Sequence, residues 1–171
     1  MQTASPFPAR ALSPRTDSIV TRLARLSGTI ARRLESLAPV ADLAVRVLVA
    51  SVFFKSGLTK IASWGTTVSL FENEYAVPLL DPQTAALLGT GIELAFPVLL
   101  ALGLGSRFAA FVLFLFNIVA VVSYPDLGAG GLKDHQTWGL LLLFTLLHGP
   151  GALSLDRLLG RRLFGAPGAA H

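Results

Sequence analysis

PQTAALLGTGIELAFPVLLAL, residues 82–102, carries a single charged side chain, Glu93, near its centre, with Pro97 four positions on. As a helix this stretch covers roughly 30 Å, the thickness of a bilayer's hydrocarbon core. A carboxylate at that depth costs on the order of 3 kcal/mol even on permissive insertion scales, so an intramembrane acid is a functional candidate first. Pro97 has no N–H to offer the carbonyl of Glu93, which leaves that oxygen free beside the carboxylate. The stretch reads as a membrane span built around one polar point that is either hydrated or paired.

Composition extends that reading outward. Of 171 residues, 53% are hydrophobic and 14% charged, and the mean hydropathy is +0.64, values of the membrane class. Three more apolar segments stand out: residues 40–62, 108–122 and 137–147, the last closed by Gly149-Pro150-Gly151. The latter two reach spanning length by including Arg107, Tyr124, Trp138 and His148 near their ends. The expectation is an all-α integral membrane protein, a four-transmembrane-helix bundle over residues 39–156.

The net charge of +4 reports topology rather than nucleic-acid binding, because most basic residues flank apolar runs. Arg10, Arg15, Arg22, Arg25, Arg32 and Arg33 precede the first span, Arg107 lies between the second and third, and Arg157, Arg161 and Arg162 follow the fourth. These belong on the cytoplasmic side. The opposite loops carry Glu72, Glu74, Asp81, Asp126 and Asp134 against Lys133. Four spans with both termini cytoplasmic satisfy every loop.

Residues 1–15, rich in Pro, Ser and Ala, read as a disordered tail. Over residues 16–38, Ile19, Leu23, Leu26, Ile30, Leu34 and Leu37 recur at three- and four-residue steps, with Arg22, Arg25, Arg32 and Arg33 off that stripe. This is a basic amphipathic helix, lying in the headgroup plane of an anionic inner leaflet or, Arg-rich and acid-poor, serving as a cleaved transit peptide. A secretory signal does not fit, since the first thirty residues lack an apolar core. After the fourth span, Ser154 or Asp156 can cap a short basic helix at residues 157–164, within a cytoplasmic tail 157–171.

Inside the spans, Asp42, Arg46, Phe53, Gly57, Lys60 and Trp64 fall within about 40° of one line on a helical wheel. Asp42 and Arg46, one turn apart, can pair; Gly57 lets another helix approach; Lys60 and Trp64 reach the outer interface. Lys55 lies roughly opposite that face and needs a partner or water. Side chains lean toward a helix's N-terminus, so lysines on a rising first span and Glu93 on a descending second span converge in depth. Glu93 is expected to pair with Lys60 or Lys55, the choice resting on helix rotation.

Asn117 and Tyr124 share a face of the third span, and His135, Trp138, Leu142 and Thr145 share one of the fourth. Asn117 suits a helix–helix hydrogen bond or a ligand contact. His135, at the outer mouth near Asp126 and Asp134, suits an interfacial role, a proton relay or a metal ligand. His148 cannot join it on one ion, being thirteen residues away, about 20 Å along a helix. His135 would need a loop carboxylate such as Glu72 or Glu74. With no cysteine there is no disulfide, thiol nucleophile, Cys-ligated metal or CxxCH haem attachment. No Ser/His/Asp arrangement or phosphate loop is present, so no stand-alone catalytic motif supports hydrolysis or phosphoryl transfer.

The arrangement resembles the DoxX family of small four-span bacterial membrane proteins. The resemblance is carried by FKSGLTK at 54–60, by Glu93 with Pro97, by LGLGSR at 102–107 and by GPGALSLD at 149–156, and covers residues 40 to 160. Tyr124-Pro125-Asp126 and His135 with Trp138 look like a subgroup found beside metal-stress genes. The basic helix before residue 38 is longer than the family's usual start. The resemblance implies a four-helix bundle in the bacterial inner membrane and a link to quinones, since the family takes its name from a subunit of a thiosulfate:quinone oxidoreductase.

Three readings follow. In the first, the chain is a membrane subunit of a redox or stress-protection system, and Glu93, Lys60 and Lys55 bind a quinone headgroup or handle its protons. In the second it is a non-catalytic anchor or assembly partner, joined to another protein or to its own copies in the lipid bilayer. In the third, His135 handles copper or zinc at the outer mouth.

Overall fold

The computed structural model describes residues 19–164. The tail expected over residues 1–15, the first residues of the helix expected over 16–38 and the end of the tail expected over 157–171 lie outside the described residues. Among the described residues every regular element is a helix: α1 (Ile19–Ala62), α2 (Trp64–Asn73), α3 (Pro82–Leu102), α4 (Ser106–Ser123), α5 (Gly128–His148) and α6 (Leu155–Phe164). Two compact units divide the chain, Met1–Leu37 and Ala38–His171. In the first, Leu23, Leu26, Ile30, Leu34 and Leu37 of α1 are each 58–63% exposed, an apolar stripe left uncovered.

Among the described residues three helices are long and apolar enough to cross a membrane, Thr21–Ala62 within α1, α3 and α4. α5 is as long as α3, at 21 residues, but its first half holds Lys133, Asp134, His135 and Gln136, and it falls outside that set. Helix α2 was not expected from the apolar pattern. It occupies the connection between α1 and α3, where Thr67 turns back to donate its hydroxyl to the carbonyl of Lys60 (2.9 Å).

The core of the second unit joins Val49, Ala50 and Phe53 of α1 with Leu100 of α3, Ala109, Ala110 and Leu113 of α4 and Leu142 of α5. Small residues allow helices to approach closely without a water-driven collapse. Gly57 is one such point: a Cβ there would stand 2.9 Å from the Leu94 side chain and 3.1 Å from Cβ of Glu93, so the space it leaves is filled by side chains of α3. Leu87, Phe108, Val122, Leu140 and Leu147 are more than half exposed, the pattern of helices whose solvent is lipid.

The helix ends explain the turns. Asp81 caps α3 by accepting the Thr84 N–H (3.0 Å); the Thr84 side chain first, and that N–H second, hold its carboxyl lower than an ordinary aspartate's, and Pro82 supplies the fixed φ of a first turn. At the other end Gly103, at φ +73°, forms a Schellman closure with Leu104 donating to the Leu99 carbonyl (2.9 Å). Helix α4 takes its cap from a distant residue. The Asp156 carboxylate accepts both the Gly105 N–H (2.8 Å) and the Ser106 N–H (3.0 Å), while Ser154 accepts the Arg157 N–H at the start of α6 (3.3 Å). Of the two expected caps for the last helix, Ser154 serves it and Asp156 serves α4. Asp156→Ala removes two charge-assisted bonds from a helix N-terminus, and a loss of about 1–2 kcal/mol is expected. A lowered unfolding midpoint in detergent would show it; an unchanged midpoint would contradict the capping role.

Arg46 organises this end. Arg46 is 1% exposed, and its guanidinium donates to the carbonyls of Leu100 (3.3 Å) and Ala101 (3.4 Å) in the last turn of α3 and to the carbonyl of Leu153. The expected Asp42–Arg46 pair is therefore corrected. Asp42 instead faces His148 Nε2 at 3.5 Å, because Arg46 extends along the helix ends rather than back along α1. Arg107, expected at a cytoplasmic turn, lays its guanidinium over Gly149, where a Cβ would come within 3.2 Å of it.

Candidate functional site

Glu93 is 5% exposed, and the lysine it meets is Lys60: Nζ lies 2.6 Å from Oε2. Ser56 closes the arrangement, donating its hydroxyl to Oε1 of Glu93 (3.1 Å) and accepting from Lys60 Nζ (2.9 Å). Local geometry makes this possible. Ser56 and Lys60 are one helical turn apart on α1 and share a face, and Gly57 between them removes the side chain that would hold α3 away. An ammonium has three donors, and two of them are used here, leaving one N–H to meet something else. Lys55, the alternative partner, is exposed on the opposite face of α1, so helix rotation selects Lys60. Pro97 is buried on the Glu93 face of α3.

This cluster opens onto a cavity of about 500 Å³ between the helices. Its wall is mainly apolar, with Phe53, Ile92, Leu115, Phe116 and Val119 around the body. Polar groups gather at two places. One is the Ser56–Lys60–Glu93 cluster on α1 and α3; the other is Ser123, Tyr124, His135 and Trp138 on α4 and α5. A concave apolar body with a few converging polar groups is the usual form of a small-molecule site.

The second group is held by Asn117. Its amide donates from Nδ2 to the His135 carbonyl (3.0 Å), and its Oδ1 lies 2.8 Å from His135 Nδ1. Asn117 thus fastens α4 to α5 and orients the imidazole. Trp138 packs edge-on against both His135 (4.8 Å between centroids) and Phe53 (6.0 Å), tying this side to α1. The Ser123 hydroxyl is buried without a hydrogen-bond partner.

Aromatic rings border the mouth. Tyr75 stacks between Phe71 (4.7 Å) and Tyr124 (5.0 Å), and the Ala76 N–H bonds the Ser123 carbonyl (2.8 Å). The Tyr124 hydroxyl donates to Glu74 (3.2 Å). Burial pushes the Tyr75 hydroxyl above its ordinary value, and the bond to Glu74 does the same for Tyr124, so both phenols stay protonated near neutrality. Among the described residues no three His, Asp or Glu side chains gather closely enough to hold a metal ion. Glu74 is engaged with Tyr124 rather than with His135.

Ser56 and Ser123 are the site residues that sequence reasoning passed over. Ser56 had a signal, its one-turn spacing from Lys60. Ser123 had none, because its importance comes from burial without a partner.

Apolar helices around a buried ion pair and an internal cavity define a small helical membrane protein. The sequence profile of the DoxX family matches residues 41–125. The chain belongs to the DoxX family. The matched stretch contains Arg46, Ser56, Lys60, Glu93 and Asn117, while His135 and Trp138 lie beyond it. No curated protein and no solved structure shows significant similarity to the chain.

Proposed function

We propose that this DoxX-family protein is a four-span protein of the bacterial inner membrane, with both termini cytoplasmic, and that its cavity binds a quinone headgroup for a redox or stress-protection system. α5 is the fourth span in this reading, with its polar first half turned toward the cavity mouth and the outer interface. The basic stretch of α1 before residue 38 lies on the anionic inner leaflet. The observation that carries the proposal is the cavity: an apolar body of ring-accommodating size with the Lys60 ammonium at one end. The remaining Lys60 N–H donates to a ligand oxygen, and the Glu93 carboxylate balances the charge and can exchange a proton with that oxygen through the same cluster. Electrons would come from a partner subunit.

The test is organic extraction of the purified full-length protein, with protein-free micelles as the blank. Quinone is expected to co-purify with the wild-type protein and to fall at least about fivefold in Glu93→Gln, a loss of about 1 kcal/mol in binding. A protein that retains no quinone, together with a Glu93→Gln strain of unchanged activity, would sink the proposal.

A second reading, the non-catalytic assembly partner, is favoured by Lys55. It stands exposed on α1 among Leu48, Leu58 and Ile61, and a cation on an apolar face invites an acidic helix from another chain.

A further inference from the structure

We propose that the cavity is two-ended and that His135 selects a ligand hydroxyl at the α4–α5 end, so that the quinol form of a quinone is held in preference to the quinone itself. The inference rests on the quinone reading of the cavity and adds which redox form the site prefers and which residue decides it.

The argument begins with Asn117. One end of its amide faces the His135 backbone carbonyl at 3.0 Å, which can only accept, so that end must be the NH2 group. The other end is then the amide oxygen, which can also only accept. His135 Nδ1 lies 2.8 Å from that oxygen and must therefore be the donor. A neutral imidazole carries one N–H, so Nε2 is left as a bare lone pair. The reversed amide would set oxygen against oxygen at the carbonyl, and the two contacts together exclude it.

The only nitrogen of His135 left to meet a ligand is thus an acceptor. A quinol offers it an O–H donor; a quinone offers only a carbonyl oxygen, lone pair against lone pair. At the other end Lys60 donates to an oxygen of either form and does not discriminate between them. Ser123 is 1% exposed with an unpartnered hydroxyl on the same wall, an independent sign that this end expects a polar guest. A hydroxyl can donate or accept, so Ser123 does not distinguish the two forms and leaves the choice to His135.

The experiment uses the full-length protein in detergent at pH 8, where an ordinary imidazole is neutral. Duroquinone and, under anaerobic conditions, duroquinol are measured by equilibrium dialysis against protein-free micelles. Wild type is expected to bind duroquinol about five- to tenfold more tightly. In His135→Gln, whose amide can rotate to donate or accept, both forms should still bind and the preference should fall to within about twofold. Asn117→Leu, which frees the tautomer without touching the ligand, should lose the preference in the same way; a merely structural role for Asn117 would weaken both forms equally. Equal binding of the two forms by wild type overturns this inference and leaves the quinone reading standing. Binding of neither form overturns both, and a preference that survives in both variants overturns the assignment to His135.

Discussion

Glu93→Leu is expected to destabilise the protein in detergent by about 3 kcal/mol or more, and the double variant Glu93→Leu, Lys60→Met to recover most of that loss. Removing the carboxylate leaves the Lys60 ammonium, only 18% exposed, with a serine hydroxyl as its remaining partner. A buried charge stripped of its counter-ion costs far more than the pair contributes, because its desolvation is no longer offset. Replacing both groups with apolar side chains removes the desolvation cost together with the attraction, and such exchanges are often neutral. Unfolding midpoints of the three proteins check this. A single variant as stable as wild type would contradict the buried pair. The double variant also separates the two functional readings. If the pair serves only the bundle, the double variant should assemble with its partners normally and nothing should be missing; if it serves a ligand, a folded protein should be recovered that has lost its quinone.

Legibility was uneven along the chain, and the reason is physical. Helical period and span length are local properties, so the stretch around Glu93 and the inward face formed by Asp42, Arg46, Phe53, Gly57 and Lys60 can be drawn from sequence spacing alone; Trp64, placed on the same line, instead opens α2 after the break at Ser63 and is 40% exposed. The need of Glu93 for a partner is equally local, being a desolvation cost. Partner identity is not. Lys60 rather than Lys55 depends on rotation about two helix axes, and Asp42 with His148 rather than Arg46 depends on carbonyls more than fifty residues away. Asp156 illustrates the same limit. Its position suits a local cap, but its carboxylate reaches the start of α4, some fifty residues back in the chain. Helix α2 was missed because its polar end, Glu72 and Asn73 with Glu74 just beyond, made the connection look like an exposed loop. Phe71, buried against Ala85 and Ala86 of α3, is the residue that holds it down.

Gly103→Ala should be among the most damaging single-methyl changes in the chain, with an expected loss of about 3 kcal/mol or failure to accumulate folded protein, and Gly105→Ala supplies its control. Both glycines sit in the left-handed region, at φ +73° and +56°. That conformation alone costs a residue with a Cβ about 1–2 kcal/mol, and around Gly105 nothing lies within 4 Å, so its variant should lose no more than that. At Gly103 the added carbon would stand 2.8 Å from Cα of Ser154 and collide with the Arg46 guanidinium. A side-chain tip can move aside, but the Ser154 backbone is fixed by neighbouring contacts: Asp156 donates its N–H to the Gly103 carbonyl (2.9 Å) while its carboxylate caps α4. Displacing Arg46 in turn leaves a buried guanidinium without its three carbonyls. The C-terminus of α3, the N-terminus of α4, α1 and the approach to α6 all converge on Gly103, where an added side chain does not fit. Unfolding midpoints of the two alanine variants test this convergence: a Gly103→Ala loss no larger than that of Gly105→Ala would mean that conformation, and not the packed junction around Arg46, sets the cost.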